Sequence, residues 1–182
     1  MKKGGGKAKG SAFERYLAKR FSKWIQGTEK PYLLWKSPNS GGVSSVILEN
    51  VDMSGDIIAL KEEAKFLTDI FSIEAKNGYP KASLDKHLKY NKNDEIESFW
   101  NQAKSDASRG NKSPLLIIKR KGLNTIWLGI NNNIYNKLQI KLEDIRFIHL
   151  RYKKNDEIYF FEIEEFLEKI SPNDIKDLKN EN

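Results

Sequence analysis

Apolar residues return at helical spacing over Phe13, Tyr16, Leu17, Phe21, Trp24 and Ile25, which predicts an amphipathic helix closing near Gly27. Ser11 and Glu14 have the S-x-x-E spacing of a capping box, so the helix is expected to open at Ser11. A short apolar run over Tyr32 to Trp35 reads as a strand, and SPNSGG (37–42) reads as a loop. Two further strands are expected at 56–60 (DIIAL) and 70–76 (IFSIEAK), with the polar stretch KEEAKFLTD as their connection. Residues 77–93 are polar and Lys-rich, with Gly78 and Pro80 marking an irregular loop. A second helix should open at Asp94, paired with Glu97 as a cap, bury Ile96, Phe99, Trp100, Ala103 and Ala107, and stop at Gly110. Beyond it, 113–120, 125–130, 146–152 and 157–161 read as strands, the last two flanking the turn KKND; a short helix over IEEFLEKI and a polar end follow. The order helix, strands, helix, strands, helix predicts an α/β (α+β) domain around a central mixed β-sheet.

With 182 residues and no internal repeat, the chain suits a single domain over 11–182, with a core over about 11–130 and a strand-rich extension over about 131–182. The first ten residues alternate Gly and Lys and are expected to form a flexible basic arm, with Lys2, Lys3, Lys7 and Lys9 available to phosphates. Lys and Arg exceed Asp and Glu to give a net charge of +7, which points to a polyanionic partner, nucleic acid being the commonest. The absence of cysteine excludes disulfides, thiolate zinc sites and a cysteine nucleophile. No apolar run approaches the ~20 residues of a membrane span, and Gly follows the basic N-terminus where a secretory signal would be apolar. A soluble protein acting in the cytoplasm, away from membranes, is the expectation.

Chemistry enters with the two strands at 56–60 and 70–76. If they pair antiparallel with Leu60 opposite Ile70, Asp56 lies opposite Glu74, and strand alternation places Glu74 and Lys76 on one face. Two carboxylates and an ammonium then converge. Mg²⁺ prefers hard oxygen ligands and keeps several waters and phosphate oxygens, which suits Asp56, Glu74 and the Ala75 backbone carbonyl as its ligands. Lys76 would orient or deprotonate an attacking water and offset phosphate charge.

Ser54-Gly55-Asp56 followed by Glu74-Ala75-Lys76 resembles the core motif of the PD-(D/E)XK nuclease superfamily, with Ser54 where its name carries Pro. Lys9-Gly10-Ser11-Ala12-Phe13-Glu14 resembles the opening of archaeal Holliday-junction resolvases and related phage endonucleases, and Glu14 matches a further family acid. The helix with Trp100 and Gln102 and the basic strand LLIIKR continue the likeness, which covers roughly residues 11 to 130. The resemblance implies a restriction-endonuclease-like sheet flanked by helices, Mg²⁺-dependent hydrolysis of DNA with Mn²⁺ as a substitute, and 5′-phosphate products. Within it, Asp56 and Glu74 are metal ligands, Lys76 assists the water and Glu14 is an auxiliary acid. A branched-DNA or Holliday-junction resolvase, acting as a homodimer, is the specific expectation; restriction, homing or repair cleavage and a non-catalytic DNA-binding module are the alternatives.

Expected DNA contacts follow from residue type. Ser40 and Gly41 allow close backbone approach. The loop carrying Lys81, Lys86, His87, Lys89, Tyr90 and Lys92 interleaves basic and aromatic side chains, and Lys119 begins a second basic cluster with Arg120 and Lys121. Gln102 is assigned to the site or to the DNA backbone. His87 and His149 lack metal-ligand spacing, and no phosphate-binding G-x-x-x-x-G-K-[ST] occurs, which argues against zinc catalysis and an ATP-driven motor.

Overall fold

In a computed structural model, residues 5–30, 32–38, 55–80, 82, 94–153 and 156–179 are described. The chain runs α1 (Gly5–Gln26), β1 (Leu34–Lys36), β2 (Ile57–Ala59), α2 (Glu62–Ile70), β3 (Phe71–Asn77), α3 (Glu95–Arg109), β4 (Ser113–Lys119), β5 (Ile126–Asn131), α4 (Asn132–Leu142), β6 (Phe147–Lys153), β7 (Asp156–Glu162), α5 (Ile163–Lys169) and α6 (Pro172–Asp177). Five strands form a mixed sheet in the order β3-β4-β5-β7-β6, with β3 and β4 parallel and the other neighbours antiparallel. β1 and β2 make a separate antiparallel pair.

Why β4 reads as an unbroken apolar run is plain from its two faces. Leu115 and Ile117 join the core beneath α1, α2, α4, α5 and α6, whereas Leu116 and Ile118 join the core beneath α3. A strand covered on both sides needs apolar residues at every position rather than at alternate ones. β7 repeats the pattern, with Tyr159 and Phe161 on the first side and Ile158 and Phe160 on the second. Gly129 on β5 has no room for a side chain, since a Cβ would lie 2.6 Å from both Ile158 and Phe160.

Several expectations are corrected. The stretch between β2 and β3 is the helix α2, so these strands form no hairpin, and β2 pairs with β1 in the register Trp35↔Ile58. Its polar residues are the exposed face of an amphipathic helix that buries Ala64, Phe66 and Leu67, and Glu62 and Glu63 favour its first turn electrostatically. α1 opens at Gly5 rather than Ser11, so residues 5–10 are helical and Ser11 lies inside the helix, its Oγ accepting from Arg15 Nη1 at 2.9 Å. Lys7, Ala8 and Lys9 are good helix formers, and the Lys9 carbonyl accepts from Asn77 Nδ2 at 3.5 Å, a tertiary contact no local pattern announces. α3 starts as expected with the Asp94 carboxylate accepting from Ile96 N–H at 2.9 Å, but the left-handed residue after it is Asn111 (φ 51°), one place beyond Gly110.

The region beyond residue 130 holds helices α4, α5 and α6 as well as strands, and it is built into the sheet: β7 lies between β5 and β6. α4 is announced by Asn131, whose side chain accepts from Ile134 N–H, and by Ile134, Leu138 and Leu142 at four-residue spacing. α6 has a complete capping box between Ser171 and Asp174.

Candidate active site

On β3 the sheet's alternation is interrupted by polar side chains. Glu74 and Lys76 sit beside Leu116 and Ile118 in the β3–β4 register, on the face that packs against the second core. Glu74 is only 4% exposed. Placing a carboxylate there costs several kcal/mol unless it is hydrogen-bonded and paired. It is: Lys76 Nζ lies 2.5 Å from Glu74 Oε1, Gln102 Nε2 donates to the same oxygen at 2.9 Å, and Lys76 Nζ donates to Gln102 Oε1 at 3.0 Å. Gln102 on α3 thus closes a triangle with Glu74 and Lys76. Phe99, one turn earlier, places its ring 5.4 Å from Lys76 Nζ and gives the ammonium a cation–π floor.

Asp56 reaches the same place from outside the main sheet. Its backbone N–H donates to the Ile73 carbonyl at 2.7 Å, and its Oδ2 accepts from Ala75 N–H at 2.8 Å, so Asp56 brackets Glu74 along the edge of β3. Its own carbonyl accepts from Ser37 N–H at 2.7 Å, tying it to the end of β1. Gly55 makes the approach possible. It adopts φ +93°, and a Cβ there would lie 2.7 Å from Ile73 N and 2.8 Å from Ile73 O. Only glycine tolerates both the conformation and the contact. In an extended strand a residue's N–H and C=O point the same way, so the Ala75 carbonyl opens towards Asp56.

Electrostatically the site is short of positive charge. Burial, then the nearby Glu74 carboxylate, push Asp56 up to about 7 against the Ala75 N–H bond; Glu14 raises it further and Lys76 opposes. Glu74 is also raised, by burial first, with Asp106 and Glu14 adding to it against the pull of Lys76. Glu14 is buried in the interior of α1, so no helix-capping role accounts for it, and its charge is felt by both acids. One lysine does not balance this cluster. A divalent cation would, and the oxygen donors Asp56, Glu74 and the Ala75 carbonyl suit a hard ion such as Mg²⁺. Among the described residues no three acidic or histidine side chains converge closely enough to cage a metal alone, so waters or phosphate oxygens would complete the shell.

The remaining candidates separate by position. Lys119 ends β4 beside Asn77, one residue past Lys76, and its carbonyl accepts from Gly78 N–H at 3.0 Å. Ser40, Gly41, Lys86 and Lys89 lie outside the described residues, as do Lys81, His87, Tyr90 and Lys92. Phe99, expected as core alone, also places its ring against Lys76, and Asp106 acts on Glu74 electrostatically, which the sequence reading does not anticipate. The i, i+3 and i, i+4 spacings of Phe99, Gln102 and Asp106 put all three on one helix face, a signal present in the sequence but uninterpretable until that face is known to meet β3.

A family model described as a phage putative PDDEXK endonuclease matches residues 5–177. No curated protein and no solved structure matches the chain.

Proposed function

The chain belongs to the phage putative PDDEXK endonuclease family, and from that premise we propose that it hydrolyses DNA phosphodiesters at Asp56, Glu74 and Lys76, with Glu14 as an auxiliary acid. The observation that carries the assignment is the convergence of the part-buried Asp56 with the buried Glu74 and its ion-paired Lys76 at the edge of β3, beside the apolar Leu116 and Ile118. Acids raised by burial and by neighbouring carboxylates in this way mark functional sites, because stability alone disfavours them.

Asp56, Glu74 and the Ala75 carbonyl would hold Mg²⁺, or Mn²⁺ in its stead. Bound there, the ion supplies Lewis acidity that lowers the pKa of a water and offsets charge on the phosphate. Lys76 is held in place by Glu74 and Gln102 and, as an ion-paired ammonium, donates hydrogen bonds that orient the attacking water and the phosphate oxygens. Glu14 contributes negative charge that tightens the site's hold on cations. The water oxygen bonds to phosphorus as the bond to the 3′-oxygen breaks; the water's proton leaves to solvent, the 3′-oxygen is protonated, and the new end is a 5′-phosphate. Lys119, at the same end of the sheet, faces the DNA backbone. The segments with Ser40, Gly41, Lys86 and Lys89 would add further contacts.

Residues 11–182 act as one nuclease domain in this reading, and the preferred substrate is a branched duplex such as a four-way junction, cut by a homodimer in the cytoplasm. The test compares wild type and Asp56→Ala on labelled linear duplex, single strand and four-way junction with Mg²⁺ or Mn²⁺. Cutting that vanishes in the variant supports the assignment, and a junction preference supports the resolvase reading. Binding without cutting under both metals would sink the catalytic assignment in favour of a DNA-binding module.

A further inference from the structure

At the edge of the sheet opposite β3, three rings stack in register. Tyr135 on α4 and Tyr159 on β7 are parallel within 2° at a centroid distance of 3.9 Å, and Tyr159 and His149 on β6 are parallel within 8° at 4.4 Å. Two rings so close and so nearly parallel to Tyr159 cannot share one of its faces without overlapping, so they sandwich it. The stack therefore steps outwards from helix to inner strand to edge strand. Tyr159 is buried within it, but His149, at its end, has a side chain 32% exposed, and among the described residues β6 pairs with β7 alone. Core packing explains the inner rings and leaves the last one partly exposed.

Glu157 holds this end flat. Its Oε2 accepts from Tyr159 OH at 3.1 Å and lies 3.3 Å from His149 Nε2, while its Oε1 accepts from Arg151 Nε at 2.7 Å. Arg151 keeps 65% of its side chain exposed beside the rings. Arg146, immediately before β6, adds positive charge at the start of the strand. Charged edge strands resist pairing with a second copy, and a polyanion is the partner their sign favours.

We propose that the Tyr135–Tyr159–His149 stack is a platform for an unpaired nucleobase, with His149 as the contacting ring and Arg151 facing the adjacent phosphate. The inference rests on the nuclease reading for its ligand class and adds a feature of substrate recognition. Every base presents a π-face, so such a platform is tolerant of sequence. A closed duplex keeps its bases stacked on one another, so the platform selects frayed, branched or single-stranded DNA. β3 and β6 are separated by four strand spacings, about 19 Å at ~4.8 Å each, so the stacked base belongs to a stretch of substrate away from the bond being cut.

The experiment measures binding in metal-free buffer, where cutting is suppressed. The probes are a single-stranded oligonucleotide carrying 2-aminopurine, whose fluorescence is quenched by stacking, and a hairpin-closed duplex. His149→Ala should weaken single-strand affinity about tenfold and remove the protein-induced quench. His149→Phe, which keeps a ring but loses the contact with Glu157, should retain both, and cutting of linear duplex should be unchanged in the two variants. Unchanged affinity and quench in His149→Ala, with duplex cutting intact, would overturn the platform and leave the nuclease reading standing. A His149→Ala chain that falls from dimer to monomer by light scattering would instead assign this edge to self-association and overturn the platform. Failure of the wild type to bind the single-stranded probe, with duplex cutting in Mg²⁺ intact, would likewise overturn the platform alone.

Discussion

Asp56 and Glu74 share a poorly hydrated site, and the Glu74 carboxylate makes Asp56 harder to ionise. For Asp56, raised to about 7 from an ordinary 3.8, the sign of the linkage is clear: the folded chain binds a proton more tightly than the unfolded one. Its contribution to stability is fully present below the ordinary value and is lost as pH rises through about 7. In metal-free buffer, wild type should therefore lose stability relative to Asp56→Asn as pH rises from 4 to 8, leaving the variant more stable at pH 8 by about 1–3 kcal/mol. The difference between their thermal melting profiles checks this, and parallel profiles would remove the case for a strained acid pair. The same substitution should abolish cleavage. Gln102 acts differently, through the partners it holds. Gln102→Ala should lower kcat about 10- to 100-fold while leaving KM nearly unchanged, because Lys76 and Glu74 lose their common partner and DNA contact is elsewhere. A change in KM alone would place Gln102 in substrate binding instead.

Among the elements, the docking of β2 on β3 decides whether a site exists. It depends on one glycine, one backbone hydrogen bond and one carboxylate–amide bond, all at Gly55 and Asp56. Gly55→Ala should cost about 2–4 kcal/mol, since the new Cβ meets backbone atoms of β3, which its pairing with β4 holds in place, and the residue keeps an unfavourable positive φ. Denaturant unfolding measures the loss; a midpoint unchanged from wild type would mean that β3 yields to the added methyl group. α3 does two jobs at once. Its inward face supplies Phe99, Trp100 and Ala103 to the core, and the neighbouring positions present Gln102 to the site, so that anchoring of the helix and positioning of the amide are the same event.

For the molecule as a whole, the strand order makes the C-terminal third indispensable. β7 is hydrogen-bonded to β5 on one side and β6 on the other, and its residues enter both cores. Removing residues 146–182 should leave a chain without cooperative unfolding, because Leu128 and Ile130 on one side and Leu116 and Ile118 on the other would lose their cover. Circular dichroism and thermal melting of the truncated chain test this. A sharp transition would instead support an independent core over 11–130. Among the described residues no helix is long and apolar enough to cross a membrane.

Local pattern determined much of this protein. The apolar stripes of α1 and α3, the Asp94 cap, the doubly covered run of β4 and the motif of Gly55-Asp56 with Glu74-Ala75-Lys76 are each written within a few consecutive residues, where side-chain period and chemistry suffice. Distance in the chain hid the rest. The polar stretch before β3 is a helix because Ala64, Phe66 and Leu67 find a core made by other elements, and α4 is a helix packed against strands whose order the sequence does not state. Asp56 meets Glu74 through a glycine-dependent approach to the sheet edge rather than through a hairpin, and Gln102 joins them only because α3 crosses β3. Residue identity prescribes which groups can bind, pair or stack; which of them actually meet is decided by the sheet, since burial on both its faces rewards only one mutual arrangement of the elements that cover it.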